Sequence, residues 1–127
     1  MPYRWQPQIK ALNAAGYRTI APDLPGLGQS DKPADLASYN FQTTITPAIL
    51  ALIETLRLEK FSVVGHDFGA GLAWTLAFMC PDKVQHVVVL SVGYLGKWSS
   101  SGLPVLAWRG PQLSGNILVT ALDICKL

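Results

Sequence analysis

The chain has 127 residues, 50% of them hydrophobic and 14% charged, and ten Lys and Arg against eight Asp and Glu leave a formal charge of +2. Soluble domains ordinarily carry about 25% charged residues, so this composition excludes a disordered chain; with no basic run, no nucleic-acid partner is expected. One domain at most fits this length, and the surplus of core-type residues reads as the inside of something larger.

No membrane span or export signal is expected. The uncharged stretch from Phe68 to Pro81 is shorter than the roughly 20 residues a span needs, and Met1-Pro2-Tyr3-Arg4-Trp5-Gln6 has no apolar core of a signal peptide. Cys80 and Cys125 are widely spaced and lack nearby His partners, so neither a metal site nor a disulfide framework is expected. No cofactor is expected either, and the expected location is cytoplasmic.

In chain order, the first predicted helix covers Gln6 to Ala15 and closes at Gly16. Residues 17–23 read as a strand entering a turn-rich loop that contains Pro25, Gly26, Gly28, Ser30 and Pro33. A second helix is expected with Thr46 as its cap and Pro47 at its first position. Its apolar stripe is Ile49, Leu52, Ile53 and Leu56, at i, i+3, i+4 and i+7. Residues 61–65 form a short buried strand. A third helix runs from Phe68 to about Cys80; being apolar nearly all round, it is expected deep inside the domain. Val84 to Val92 is a Val-rich strand suited to a parallel sheet covered on both faces. Residues 94–127 show no clear period, and 117–122 fit a short helix or a strand. Alternating helix and strand give an α/β fold.

The chemistry concentrates at Gly65-His66-Asp67-Phe68-Gly69, at the junction of the second strand with the third helix. A small residue on each side of a central nucleophile allows a sharp turn that lifts the nucleophile above the sheet. The amide of Phe68 then stands at a helix N-terminus, where it can donate to a developing oxyanion. An Asp at the centre is ordinarily ionised at neutral pH and attacks carbon without a base. Attack at saturated carbon gives an ester of Asp67, which water activated by a base must later cleave. The substrate therefore carries its own leaving group, as an epoxide or an organohalide does.

Two segments resemble the α/β-hydrolase superfamily, within it the epoxide hydrolases and their dehalogenase relatives, and the likeness runs from Tyr3 to about Gly102. They are Ala21-Pro22-Asp23-Leu24-Pro25-Gly26-Leu27-Gly28-Gln29-Ser30-Asp31-Lys32-Pro33 and Val64-Gly65-His66-Asp67-Phe68-Gly69-Ala70. Leu90-Ser91-Val92-Gly93 is similar to the family's exit into its cap domain. The resemblance implies a partial α/β-hydrolase core at 3–93, and the start of a cap region or an irregular tail at 94–127. It further implies a parallel sheet with flanking helices, lacking the C-terminal strands and the central strand that precedes the first helix. That strand's place in the family's order is between the strands at 17–23 and 61–67. The second oxyanion donor, the triad His and the acid have no matched position.

Epoxide hydrolysis through Asp67 is thus the implied activity of the family, with this chain expected to be inactive alone and to fold poorly around unpaired strand edges. A dehalogenase is the alternative. Phe68 leans away from it, because a phenyl ring lacks the N–H that Trp offers a leaving halide. The non-enzymatic alternative is a truncated remnant that binds a partner through an open sheet edge. His66 alternates away from Asp67 on its strand, and His86 lies near the wrong end of its own. Trp5, Trp74, Trp98 and Trp108 read as packing residues. Gly26-Leu27-Gly28 is no dinucleotide fingerprint, since Asp31 holds the third glycine position.

Overall fold

The computed structural model describes residues 5–91 and 116–121. Helix α1 (Gln6–Ala14) carries Pro in its first turn, where a missing N–H costs no helical bond. None of its residues is buried. Tyr17 N–H turns back to Leu12 O at 3.0 Å, so strand β1 starts only at Arg18 and spans Arg18–Ile20. It is shorter than the expected 17–23 because Tyr17 closes the helix and Pro22 has no N–H for a ladder.

The start of the second helix corrects the expected cap. Asn40 is the residue that caps: its Oδ1 accepts from Gln42 N and Thr43 N, both at 2.9 Å. A π-helical turn over Phe41–Ile45 then leads without a break into α2 (Thr46–Thr55). Thr46 is already inside a helical run, so no free N–H remains for it to cap, and its buried Oγ1 finds no partner among the described residues. The expected stripe does face the core: Ile49 and Ile53 are buried, with Leu52 and Leu56 packed against them.

Strand β2 (Phe61–His66) feeds helix α3 (Phe68–Met79), which leads to strand β3 (Val84–Leu90). Leu72, Ala73 and Leu76 of α3 are buried against Phe61 and Val63 of β2. The expectation of a helix buried all round is corrected: Phe78 is 63% and Met79 56% exposed at the far end of α3. Apolar composition set the helix into the core by one side only.

Strand β4 is Asn116–Ala121, which resolves the open choice at 117–122 as a strand. The rest of 94–127, with Trp98, Trp108 and Cys125, lies outside the described residues. The four strands form one sheet in the order β1-β4-β2-β3, with every pair parallel. β4 pairs with β1 through Arg18↔Asn116 to Ile20↔Leu118, and with β2 through Ser62↔Ile117 to His66↔Ala121. It occupies the place between β1 and β2 for which no strand was expected. Unpaired edges at that place are therefore corrected: backbone ladders on both sides of β4 satisfy the groups a gap would leave open.

The sheet has two unlike faces. On one, Phe61, Val63 and Leu118 join Ile49 and Ile53 of α2 and Leu72 and Leu76 of α3 in the core. On the other, Val88 is 48% and Leu90 45% exposed. Among the described residues the outer strand β3 is therefore not covered on both faces, as its Val-rich pattern led one to expect.

Candidate active site

All four strands run the same way, so the segments that follow β1, β2 and β3 emerge at one end of the sheet, where open α/β sheets place their sites. At that end the chain leaves β2 through Asp67, with φ 55° and ψ −122°, and enters α3 at Phe68. A side-chain-bearing residue at positive φ is strained, and such strain persists only where the surroundings hold it. Three contacts hold it here. Asp67 N–H donates to Leu90 O of β3 at 3.3 Å, and Asp67 O accepts from Ala70 N at 2.9 Å and from Gly71 N at 3.4 Å.

Gly65 shows why the turn needs a small residue. A Cβ there would stand 2.2 Å from Gly69 O and 2.8 Å from Ala70 N, both backbone atoms that cannot rotate away. The first turn of α3 therefore lies directly on the end of β2. Ala70 and Gly71 already donate to Asp67 O, and Phe68, first in the helix, has no intrahelical acceptor within reach. The Phe68 ring is 52% exposed and Asp67 is half-buried.

The loop after β1 is built around one carboxylate. Asp23 Oδ2 accepts from Gln29 N at 3.0 Å, and Ser30 Oγ donates to Asp23 O at 2.6 Å. Gly28, at φ +50°, passes so close that a Cβ would meet Asp23 Oδ2 at 2.0 Å. Lys32 Nζ donates to Gly28 O at 2.7 Å, and Leu24 between them is fully buried. The glycines of this segment thus serve a folded loop. Asp23 as its organising acceptor was not singled out from sequence, although Asp before a Pro/Gly-rich run is a recognisable turn signal.

His86 Nδ1 lies 3.2 Å from Ser62 Oγ. That pair sits at the beginning of the two strands, whereas His66 is opposite Leu90 at their end. Leu90 and Ser91 are the residues beside Asp67 that sequence reading missed: the Leu90 carbonyl holds the Asp67 amide, and Ser91 follows with φ 70°. Their likeness to a family exit segment is legible in the sequence, but no local signal puts them beside Asp67, because the β2–β3 register alone brings them there. Among the described residues no cluster of His, Cys, Asp and Glu could hold a metal ion, and no helix is long and apolar enough to cross a membrane.

The alpha/beta hydrolase fold family model matches residues 1–114. An epoxide hydrolase of Caballeronia sordidicola is 41% identical over 110 residues, covering 87% of this chain and 33% of that protein. Epoxide hydrolase B of Mycobacterium tuberculosis is 38% identical over 102 residues, covering 80% of this chain and 28% of its own length. The crystal structure of an epoxide hydrolase from Vigna radiata superimposes with a TM-score of 0.69 at 39% identity, over 73% of this chain and 30% of that one. The chain thus spans about a third or less of the relatives it matches.

Proposed function

The chain belongs to the alpha/beta hydrolase fold family, and from that premise we propose that its site is the nucleophile half of an epoxide hydrolase, with Asp67 as nucleophile. The observation that carries this reading is the strained turn at Asp67, held over the close approach of Gly65 to the first turn of α3. The likeness to epoxide hydrolases supports the substrate class. So does Phe68, whose exposed ring offers an epoxide an apolar wall and a halide no donor.

In the first step an Asp67 carboxylate oxygen bonds to a ring carbon of the epoxide. The ring C–O bond breaks, and the released oxygen takes a proton from water to become a hydroxyl, leaving hydroxide in the solvent. The product is a hydroxyalkyl ester of Asp67. In the second step the oxygen of a water bonds to the ester carbonyl carbon while a base takes its proton. The resulting oxyanion accepts from Phe68 N–H, and collapse expels the diol and restores the carboxylate.

Among the described residues no histidine is placed to act as the base of the second step. The chain has two histidines. His86 is engaged with Ser62 at the beginning of the sheet, and His66 alternates with Val63 and Gly65 onto the face opposite α3. The 127-residue chain therefore stops at the ester. Incubation with phenyloxirane should add one adduct mass, mapped to Asp67, without release of diol, and Asp67→Asn should add none. Equal labelling of Asp67→Asn would overturn the nucleophile. Diol release would overturn only the arrest at the ester.

A further inference from the structure

We propose that Ser91 is a further catalytic residue of the Asp67 site: its hydroxyl donates a hydrogen bond to the epoxide oxygen as the ring opens. This inference rests on Asp67 being the nucleophile.

Among the described residues three with side chains have positive φ: Arg57 at 52°, Asp67 at 55° and Ser91 at 70°. A Cβ disfavours that backbone, so each case needs a reason. Arg57 has a local one. It ends α2, where Arg57 N–H donates to Glu54 O and Leu58 N–H to Ile53 O, the pattern of a left-handed helix end. Asp67 makes the turn from β2 into α3. Ser91 follows Leu90, the last residue of β3, and closes no helix. Strained backbone of this kind gathers at active sites.

Its position agrees. His66 pairs with Leu90, and Asp67 N–H donates to Leu90 O at 3.3 Å, which carries the ladder one step further. Ser91 is therefore the neighbour of Asp67 across the strands, about one interstrand spacing of 5 Å away. Ser91 is exposed among the described residues. No hydrogen bond joins it to Asp67.

That arrangement suits the chemistry. A carboxylate opens an epoxide by in-line displacement, so the oxygen leaves on the side of the carbon away from Asp67. With the attacking oxygen roughly 3–3.5 Å from that carbon, a helper must stand beside the nucleophile without being bonded to it. A hydroxyl one strand away does so, whereas the adjacent Leu90 and Phe68 side chains carry no donor. As the bond from the Asp67 oxygen to carbon forms, the ring C–O bond breaks and its electron pair goes to oxygen. Ser91 Oγ–H stabilises that charge and keeps its proton. Water supplies the proton that completes the hydroxyl and is left as hydroxide.

The test compares two electrophiles on the full 127-residue chain, with ester formation at Asp67 followed by peptide mass mapping. Phenyloxirane releases an oxygen anion, which needs a donor. Benzyl bromide releases bromide, which does not. In Ser91→Ala the rate of esterification by phenyloxirane should fall at least ten-fold, and that by benzyl bromide should stay within two-fold. Ser91→Gly, for which positive φ carries no strain, should show the same selective loss. An equal fall with both reagents would overturn the proposal, because Ser91 would then only shape the turn. An unchanged phenyloxirane rate would overturn it too. A wild-type chain that neither reagent esterifies at Asp67 fails differently: the nucleophile itself is overturned, and this inference with it. Esterification of the wild-type chain by the bromide alone would overturn the epoxide reading and the Ser91 role together.

Discussion

The unit β2–α3–β3 and the pair β1–β4 belong to one sheet and are assembled by different means. In the first, Phe61 stands opposite Val84 and the intervening helix packs on both strands, so the pairing closes a short loop. In the second, Arg18 stands opposite Asn116, and nearly the whole chain lies between them. Loop-closure entropy rises slowly with length, by about 0.6 kcal/mol per doubling. Distance in sequence is therefore no bar to β4, but it removes every local cue to its place. β1, moreover, has β4 as its sheet partner and touches β2 only across it. The site belongs to the local unit, and the completeness of the sheet belongs to the distant pair.

The comparison can be broken most forcefully at Gly65. In Gly65→Val a side chain must displace the backbone of Gly69 and Ala70, with an expected loss of about 4 kcal/mol or more. Urea unfolding measures that loss, and adduct formation at Asp67 should fall with it. Loss of labelling with stability intact would mean that the glycine serves the chemistry alone.

A smaller effect is expected at Leu118, the β4 side chain buried in the core. Leu118→Ala should cost about 3 kcal/mol through the cavity it leaves. Hydrogen exchange sharpens the contrast: protection at 18–20 and 116–121 should drop before protection at the β2–β3 ladder. A uniform drop in all four strands would show the sheet to be one cooperative unit.

The smallest effect lies outside both regions. The exposed Asp35 carboxyl accepts from Ser38 Oγ at 2.7 Å and from Ser38 N at 2.9 Å, and the hydroxyl first, then the amide, hold its pKa below the usual 3.8. A depressed carboxyl stabilises the folded chain above its unfolded pKa, and that contribution fades as pH falls through the folded value. Asp35→Asn should therefore lower stability slightly at neutral pH and flatten the stability–pH curve below about pH 4, leaving the value at still lower pH little changed. An unchanged slope would show that the hydrogen bonds do not outlast solvent competition.

How much was legible followed the range of the interactions. Gly65, Asp67 and Phe68 lie within one turn of chain, and their spacing alone located the junction of strand and helix. The stripe of Ile49 and Ile53 was equally plain, because helical period is a local property. The cap was misplaced onto Thr46 because Thr-Pro is a common helix start. Asn40 wins because a π-helical turn extends the coil upstream, and that turn has no sequence signature. Leu90 and Ser91 became neighbours of Asp67 only through the pairing of β2 with β3.

By itself, then, the sequence determined the α/β alternation, the parent family, and an acidic residue at a glycine-bounded turn. All of these depend on neighbours a few residues apart. Tertiary structure alone decided that 116–121 fills the place between β1 and β2, that α3 buries one side only, and that the Val88 face is left exposed by the described residues. Each of those is a choice of partner among backbone ladders and apolar surfaces far apart in the chain. Such partners are interchangeable in composition, and only their joint packing selects among them.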